Sequence, residues 1–288
     1  MIAFPNAKIN LGLKVIGKRP DGYHNIETVF YPVGLSDVLE IMKAPDGQFS
    51  FESTGLQIPG DPEKNICILA FRHLSSNIEH PASNIQHPLV KIHLHKIIPP
   101  GSGLGGGSSD GAFTLKLLND LFFLGLSFEK MEQIAGNLGS DCPFFIRNKP
   151  VIAYGKGDRF EEVNIDLSGY IIIIVIPGIH VDTAVAYRMI DEEVQIKQPT
   201  DQSQDHLKDI VRLPVEQWKD KLINDFEIPV LSKFPVIREI REKLYAAGAL
   251  YASLSGSGSA IYGIFPPQTP DLSAFKDNFV WVDPKIRY

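Results

Sequence analysis

The residues best suited to chemistry lie in a glycine-rich run that ends in two serines and an aspartate. Residues 101–107 contain five glycines, and Ser108, Ser109 and Asp110 follow at once. Glycines allow consecutive backbone N–H groups to wrap around an anion. A strand pattern at 89–97 precedes the run, and a helix pattern at 111–124 follows it with its free N–H groups and positive dipole end. We therefore predict a phosphate-binding loop, with the serine hydroxyls near a phosphate or its magnesium ion.

Other interpretations of this run fit less well. A flexible linker rarely leads from a strand directly into an apolar helix. The spacing of Gly101, Gly103 and Gly106 fits a dinucleotide fingerprint, but Pro99 and Pro100 interrupt the strand-to-loop connection, and no acidic residue ends a second strand about 20 residues later. No Gly-Lys-Ser/Thr closes a P-loop, and the protein-kinase triplets His-Arg-Asp and Asp-Phe-Gly are absent.

The run resembles the second motif of the GHMP kinases, a superfamily that phosphorylates small alcohols. Residues 99–109 read PPGSGLGGGSS. Four further segments are similar to the branch of this superfamily that acts on 4-diphosphocytidyl-2-C-methyl-D-erythritol: PNAKINL at 5–11, RPDGYH at 19–24, LGSDCPFF at 138–145 and SGSGSA at 255–260. Because these motifs occur in order from end to end, the resemblance covers the whole chain.

The resemblance implies an α+β, two-domain GHMP kinase fold. It predicts a ribosomal-S5-like N-terminal, ATP-binding domain over 1–158 and a ferredoxin-like C-terminal domain over 159–288, with the site in the cleft between them. The implied reaction is ATP-dependent phosphorylation of the substrate's 2-hydroxyl, a step of the non-mevalonate (methylerythritol phosphate) route to isoprenoids. A kinase for another small alcohol, a dinucleotide-dependent oxidoreductase and a non-catalytic ATP-binding sensor remain alternatives, since fold analogy alone does not settle function.

Two residues are candidates for catalysis. Asp141 follows a predicted helix end on a turn that can present a carboxylate, and the resemblance makes it the base for the hydroxyl; from spacing alone it would cap the next helix. Lys8 on an exposed strand would ordinarily be solvated, but the resemblance places it in the active site. There it would lower the pKa of Asp141 or of the hydroxyl and offset charge in the transition state.

The resemblance also implies two binding sets. The ATP-binding set is Asn65, Pro99, Pro100, Gly101, Ser102, Gly103, Leu104, Gly105, Gly106, Gly107, Ser108 and Ser109. The substrate-binding set is Asn10, Tyr23, His24, Thr183, Tyr187, Gly256, Ser257 and Gly258. Tyr23 and His24 would stack on and hydrogen-bond the cytosine of a substrate with a cytidine diphosphate handle. From the local sequence alone, however, Tyr23 and His24 indicate a turn with an exposed aromatic residue, and residues 256–258 indicate a tight turn.

Metal chemistry is not indicated beyond the magnesium that accompanies ATP. Ser108 or Ser109 would contact that ion, but no carboxylate stands out as its ligand, so nucleotide oxygens and water would hold it. His93 and His95 alternate with Val90, Ile92 and Leu94, which favours a solvated strand face over a zinc site. Cys142 has no cysteine-enzyme signature and is interpreted as a small buried thiol.

Composition limits the class of protein. The 288 residues are 44% hydrophobic and 22% charged, with a net charge of −6, which gives no footprint for nucleic acid. Two cysteines are too few for a disulfide framework. No signal peptide is apparent, and the longest apolar run, 170–176, is too short to span a membrane. We expect a cytosolic protein with no membrane or nucleic-acid partner.

Hydrophobic periodicity predicts the elements that position these residues. Alternation or apolar runs predict strands at 9–15, 28–33, 38–42, 89–97, 171–176 and 260–265. Helical patterns predict helices at 65–74, 111–124, 128–138 and 232–247, the third closed by Gly139 as C-cap, the fourth with Pro235 near its start and Gly248 after it. The polar segment 195–207 is predicted to be a disordered or variable insertion.

Overall fold

The computed structural model describes residues 1–77, 89–194, 206–268 and 270–283. Within these ranges the strands are β1 Ile2–Ala3, β2 Asn6–Lys18, β3 His24–Ser36, β4 Val38–Lys43, β5 Ser50–Gly55, β6 Val90–Lys96, β7 Val151–Gly155, β8 Arg159–Glu162, β9 Ile171–Ile176, β10 Tyr251–Leu254, β11 Ile261–Phe265 and β12 Phe279–Val282. The helices are α1 Ile66–Asn77, α2 Gly106–Leu121, α3 Phe128–Gly136, α4 Phe144–Arg147, α5 Thr183–Val194, α6 Leu207–Ile210, α7 Glu227–Lys233 and α8 Pro235–Ala246. The predicted α+β class is confirmed.

The chain forms two compact units, and the first contains Met1–Ala7, Leu35–Pro100 and Gly105–Lys149. Its sheet has the order β1-β4-β6-β5, in which β5 runs parallel to β6 and the other pairs are antiparallel. Alternate residues of β4 and β6 are buried, as the sequence pattern predicted. The helices α1 to α4 belong to this unit and pack through α2.

The second unit contains Lys8–Gly34, Gly101–Leu104 and Pro150–Tyr288. It holds one sheet of order β2-β3-β7-β8 and one of order β10-β11-β9-β12, and the second sheet is antiparallel throughout. Strand β9 is fully buried, so its continuous run of apolar residues has core on both faces. The chain passes between the units several times, so most of β2 and β3 belongs to the same unit as residues 150–288. The domain boundary predicted at 158–159 stays a prediction.

Three helix predictions need correction. The helix predicted at 111–124 begins at Gly106, because the glycine run itself supplies the first turn. The C-cap assigned to Gly139 is wrong, since α3 ends at Gly136 and Asn137 caps it. The single helix predicted at 232–247 is two helices that meet at Phe234, which precedes Pro235 and leaves the helical region because a following proline disfavours it.

Other sequence predictions are confirmed or lie outside the structure. The strand predicted at 171–176 coincides with β9, and those at 38–42, 89–97 and 260–265 match β4, β6 and β11 within two residues. Residues 195–205 of the predicted polar insertion lie outside the described residues, whereas Leu207 is buried at the start of α6. Within the described ranges, no helix has both the length and the apolar character needed to cross a bilayer; the cytosolic location stays a prediction.

Candidate active site

The last two glycines of the run, Gly106 and Gly107, form the N-terminus of α2, which therefore begins earlier than predicted. Gly105 is the N-cap residue in a left-handed conformation, with φ of 71°, and α2 begins at Gly106. A Cβ at Gly106 would stand 2.8 Å from Ile98 Cγ2 and 3.1 Å from Lys96 Nζ, so only glycine lets the helix start this close to the strand end. Gly107 is exposed, and Ser108 is partly exposed. The first turn of α2 therefore offers N–H groups and a hydroxyl to an anion from solvent.

The first half of the run, residues 101–104, packs on the loop at 255–258. A Cβ on Gly103, whose φ is 83°, would stand 2.1 Å from the backbone oxygen of Ser255. The Ser255 hydroxyl donates to the Gly103 carbonyl at 2.9 Å, and the Ala260 N–H donates to the Ser102 carbonyl at 2.9 Å. The two glycine-rich motifs of the second unit are therefore neighbours that depend on each other for their conformations.

Lys8 is buried beside this half of the run. Its side chain is 3% exposed, and its ammonium donates to Asn10 Oδ1 at 2.6 Å and to the Gly103 carbonyl at 3.2 Å. The ammonium also lies 4.8 Å from the centre of the Phe30 ring. Asn10 in turn donates to Thr28 Oγ1 at 2.9 Å. The alternative of a solvated strand lysine is therefore wrong, because β2 buries Lys8 and fixes the position of its charge.

A second buried lysine, Lys96, lies beneath the other half of the run. Lys96 Nζ donates to carboxylate oxygens of Asp37 and Asp110, the latter at 2.7 Å. The other oxygen of Asp37 accepts from the N–H groups of Ile97 and Ile98 at 2.5 and 2.8 Å. These bonds tie the end of β6 to the first turn of α2. This network, which we call the Lys96 triad (Asp37, Lys96, Asp110), was not predicted from the sequence.

The Lys96 triad has unusual electrostatics. Burial is the main cause that raises the pKa of Asp110, to about 8, with Lys96 opposing the shift and Asp37 adding to it. Burial alone would lower the pKa of Lys96, but the two carboxylates outweigh it and raise that pKa. Asp110 Oδ1 and the hydroxyl of the neighbouring Ser109 are buried and have no hydrogen-bond partner among the described residues. Asp110 therefore favours its neutral form near neutral pH.

Asp141 lies in the turn between α3 and α4 and is partly exposed. The Ser140 hydroxyl is 3.4 Å from Asp141 Oδ1. The next residue, Cys142, is buried. Burial raises the pKa of Cys142 to about 12, with the nearby Ser108 hydroxyl of α2 opposing the shift, so the interpretation as an unreactive thiol is supported. Within the first unit, Ser108 thus lies close to the turn that carries Asp141.

Asn65, predicted on the adenine side, precedes α1. Its Oδ1 accepts from the Cys67 N–H at 2.9 Å, as a helix-capping side chain does. The cap occupies the side-chain oxygen and orients the side-chain amide group.

Part of the predicted substrate-binding set lies on and beside α5. The buried ring of His24 stacks on Tyr187, with ring centres 4.5 Å apart and an interplanar angle of 13°. Tyr23 is 62% exposed, and Lys156 Nζ lies 4.9 Å from its ring centre. Thr183 Oγ1 lies 3.0 Å from Ser257 Oγ, which connects α5 to the loop at 255–258.

His93 and His95 lie on the solvent side of β6. Both side chains hydrogen-bond Thr54 Oγ1, at 3.0 and 2.9 Å, on the face of β6 opposite Ile92 and Leu94. In the part of the chain that the structure describes, no group of three or more His, Cys, Asp or Glu residues could hold a metal ion.

Known families match both parts of the chain. The model of the GHMP kinases N-terminal domain matches residues 65–149, and that of the GHMP kinases C-terminal domain matches residues 215–276. A Parabacteroides distasonis protein named 4-diphosphocytidyl-2-C-methyl-D-erythritol kinase is 47% identical over 283 residues, 98% of each chain. A Bacteroides thetaiotaomicron protein of the same name is 48% identical over 270 residues, 93% of each chain. The chain belongs to the GHMP kinase family.

Solved structures agree with this family. The crystal structure of a 4-(cytidine 5'-diphospho)-2C-methyl-D-erythritol kinase is similar to this GHMP kinase with a TM-score of 0.78 and 28% identity, covering 98% of both chains. Mevalonate kinase from Methanococcus jannaschii has a TM-score of 0.67 at 14% identity, covering 98% of this chain and 97% of its own, which shows the fold alone. The predicted family, fold and enzyme class are confirmed.

The predicted site residues of this GHMP kinase divide between the two units. The second unit holds Lys8, Asn10, Tyr23, His24, Gly101, Ser102, Gly103, Leu104, Thr183, Tyr187, Gly256, Ser257 and Gly258. The first unit holds Asn65, Pro99, Pro100, Gly105, Gly106, Gly107, Ser108, Ser109 and Asp141. Contacts within the second unit connect Lys8, Asn10 and Gly103, and separately connect His24 with Tyr187 and Thr183 with Ser257. The functional roles of all these residues stay predictions.

Sequence reasoning missed several supporting residues of the GHMP kinase site. Thr28, Ser255 and Asp191 each hydrogen-bond a predicted site residue or its loop. A sequence signal existed for Asp191, because Thr183, Tyr187 and Asp191 recur every four residues on a helix and therefore share a face. No such signal existed for Asp37, whose partners in the Lys96 triad are far away along the chain.

Proposed function

We propose that this protein transfers the γ-phosphoryl group of ATP to the 2-hydroxyl of 4-diphosphocytidyl-2-C-methyl-D-erythritol, releasing the 2-phosphate and ADP in the methylerythritol phosphate route to isoprenoids. The observation that carries the choice of substrate is the 47% identity, over 98% of both chains, with a relative named for that activity. The phosphate loop at the start of α2 and the buried Lys8 supply features that a kinase needs.

The phosphates of ATP would bind at the first turn of α2. There Gly107 and Ser108 present N–H groups at the positive end of the helix dipole. The Lys96 triad keeps the end of β6 and this turn together, which preorganises the loop before the nucleotide arrives. Asn65 and residues 99–109 form the proposed ATP site.

Magnesium would enter with the nucleotide. The protein would provide few ligands to this ion. Ser108 has a partly exposed hydroxyl, and the described residues contain no cluster of acidic side chains that could surround a metal ion. A magnesium ion bound to the phosphates supplies neutralisation of the charge that spreads in the transition state.

Asp141 would accept the proton as the substrate hydroxyl attacks. The new bond joins the 2-oxygen to the γ-phosphorus, the bond from that phosphorus to the bridging oxygen of ADP breaks, and the hydroxyl proton passes to the Asp141 carboxylate. Lys8 would offset negative charge in the transition state. Its ammonium is already oriented by Asn10 and the Gly103 carbonyl, so little reorganisation is needed.

The cytidine handle would bind where α5 meets the start of β3. Tyr23 offers an exposed aromatic face, and stacking on such a face contributes about 1–3 kcal/mol per base. His24 offers a ring edge held by Tyr187, and Thr183 lies against the loop at 255–258. Binding energy from this remote handle helps to position the reacting hydroxyl.

ADP release with magnesium-ATP and 4-diphosphocytidyl-2-C-methyl-D-erythritol tests the proposal. We compare the parent protein with Asp141→Asn and with Asp120→Asn, a control at an exposed carboxylate of α2. We expect turnover by the parent and by the control, and a fall of about 10²- to 10⁴-fold in Asp141→Asn while ATP still binds. Full activity in Asp141→Asn would remove that residue from the role of base.

If the parent does not phosphorylate this substrate, further assays distinguish a kinase for another alcohol from a sensor. ATP binding without turnover on this substrate, but with turnover on another small alcohol, would keep the kinase and reject the substrate. ATP binding without turnover on any alcohol of a panel would favour a sensor.

A further inference from the structure

One face of α5 carries three polar or aromatic side chains spaced by four residues. Thr183, Tyr187 and Asp191 lie on successive turns, so they line the same side of the helix. Tyr187 stacks on the ring of His24, and Asp191 Oδ1 lies 2.7 Å from His24 Nε2. A single helix face therefore fixes both the plane of the His24 ring and one of its two nitrogens.

Asp191 is an ionised acceptor in this cluster. Burial opposes its ionisation, but hydrogen bonds from Lys18 and His24 outweigh burial and lower the pKa of the Asp191 carboxyl. Lys18 Nζ donates to Oδ2 at 2.6 Å, while His24 occupies Oδ1. A carboxylate only accepts hydrogen bonds, so the proton of this contact belongs to His24 Nε2.

The contact at Nε2 leaves the other ring nitrogen of His24 for a ligand. Lys18 and His24 occupy the two carboxylate oxygens of Asp191, so Asp191 fixes His24 through Nε2 alone. In a neutral imidazole whose Nε2 carries the proton, Nδ1 has a lone pair and accepts hydrogen bonds. No described residue donates to His24 Nδ1 in the structure.

We propose that Asp191 is a positioning residue that holds His24 in the Nε2–H form, so that Nδ1 is an acceptor that selects an amino-substituted pyrimidine. This inference rests on the proposed function, which brings a pyrimidine to His24. Cytosine carries an amino donor at its 4-position, whereas uracil carries a carbonyl acceptor there, and two acceptors facing each other repel. Asp191 would therefore favour the cytidine handle over a uridine handle without touching either.

The protonation of His24 can be measured without any substrate. Nitrogen NMR of the full-length protein labelled with ¹⁵N-histidine distinguishes protonated from unprotonated ring nitrogens, and His24→Gln assigns the signals. We expect an unprotonated Nδ1 in the parent and in Glu192→Gln, a control at the next carboxylate of α5. In Asp191→Asn the amide can also donate to Nε2, so we expect the Nδ1–H form to increase. A parent with a proton on Nδ1, or an Asp191→Asn spectrum identical to that of the parent, overturns the proposal.

The selectivity is measured by the ratio of kcat/KM for the cytidine substrate to kcat/KM for its uridine analogue. We expect this ratio to fall about tenfold in Asp191→Asn, because a tenfold change corresponds to the contribution of one well-oriented hydrogen bond. The change should come mainly from a higher KM for the cytidine substrate. Asp191→Glu keeps a carboxylate and should recover part of the ratio, and Glu192→Gln should leave it unchanged. An equal loss of kcat on both substrates, with the ratio preserved, would make Asp191 a structural brace and sink the proposal.

Failure of the proposed function would be recognisable separately. If the parent turns over neither substrate, the affinities for CDP and UDP, measured by calorimetry, provide the same comparison. A parent preference for CDP that disappears in Asp191→Asn supports the inference about Asp191, and equal affinities in the parent reject it.

Discussion

The two halves of the glycine run lie against two different buried lysines. Lys8 and Lys96 are each 3% exposed. Lys8 donates to the Gly103 carbonyl of the first half, and Lys96 lies beneath Gly106 at the start of the second. Lys96 donates to two aspartates, whereas within its own unit Lys8 donates to an amide oxygen and a backbone carbonyl.

This difference suggests two roles to test. Asp37 and Asp110 both accept hydrogen bonds from the Lys96 ammonium, so Lys96 holds the loop in place and offers little charge to a ligand. Asn10 and the Gly103 carbonyl orient the Lys8 ammonium beside the first half of the run. Burial alone therefore does not distinguish the two lysines, and the catalytic role of Lys8 stays a prediction.

The largest expected effect tests the structural side of this comparison. Lys96→Met removes the cation that two buried acidic side chains share, so we expect the free energy of unfolding to fall by about 3–5 kcal/mol. Urea denaturation measures the loss. The double variant Lys96→Met/Asp110→Asn leaves Asp37 as the one buried acidic group of the triad and should recover a large part of it. A loss below about 1 kcal/mol in the single variant would contradict the assigned role.

The next effect tests the chemical side. Lys8→Met should lower kcat by about 10²- to 10³-fold, because it removes a preorganised charge. The free energy of unfolding should fall by about 1–3 kcal/mol, less than in Lys96→Met, because Asn10 Oδ1 loses a donor while the Gly103 carbonyl keeps its bond from Ser255. Steady-state kinetics and urea denaturation are measured together, with Lys14→Met in the same strand as control. A Lys8→Met protein that is unstable but fully active would reverse the comparison.

A smaller effect distinguishes the two halves of the run themselves. In Gly103→Ala the new Cβ would stand 2.1 Å from a backbone oxygen at a φ of 83°, so we expect a loss of at least about 2 kcal/mol in stability. Gly107→Ala is the matched control, because no atom lies within 4 Å of its Cβ, and its stability should stay within about 1 kcal/mol of the parent. Equal thermal unfolding of the two variants would argue against the packing of the first half on residues 255–258.

The last effect is a pH dependence, which is the smallest for a change of one pH unit. Because burial raises the pKa of Asp110 in the folded protein to about 8, unfolding releases a proton from this group above its unfolded pKa. Its contribution to stability is fully present below about pH 4 and is lost as pH rises toward about 8, by at most about 1.4 kcal/mol per pH unit. Urea denaturation of the parent and of Asp110→Asn between about pH 5 and 8 measures this slope as a difference. Parallel stability curves would mean that Asp110 is ionised in the folded protein.

The order of strand, glycine run and helix could be predicted because its determinants are local. The three segments are neighbours in the chain, and the structure has them in that order, with the helix beginning at Gly106. The buried strand β9 was predictable for the same reason, since its six apolar residues are contiguous. The family motifs added residues such as Lys8. Hydrophobic periodicity alone did not indicate that Lys8 is buried.

What could not be predicted depends on distant pairs. Asp37, Lys96 and Asp110 lie on two strands and a helix, and only the fold brings the three charges together. The break between α7 and α8 was missed because the helical pattern continues across it, although Pro235 restricts Phe234 locally. Asp191 was missed although its spacing from Tyr187 was visible, because its partner His24 belongs to another element.

The path of the chain between the units also bears on protein synthesis. Leu13 of β2 belongs to the same core as Ile173 of β9 and Ile261 of β11, and β3 pairs with β7. A ribosome therefore releases β2 and β3 long before the strands that bury them exist. The nascent chain must keep these apolar strands from aggregating until the last third of the message has been translated, so translation speed and chaperone access should influence the yield of active enzyme.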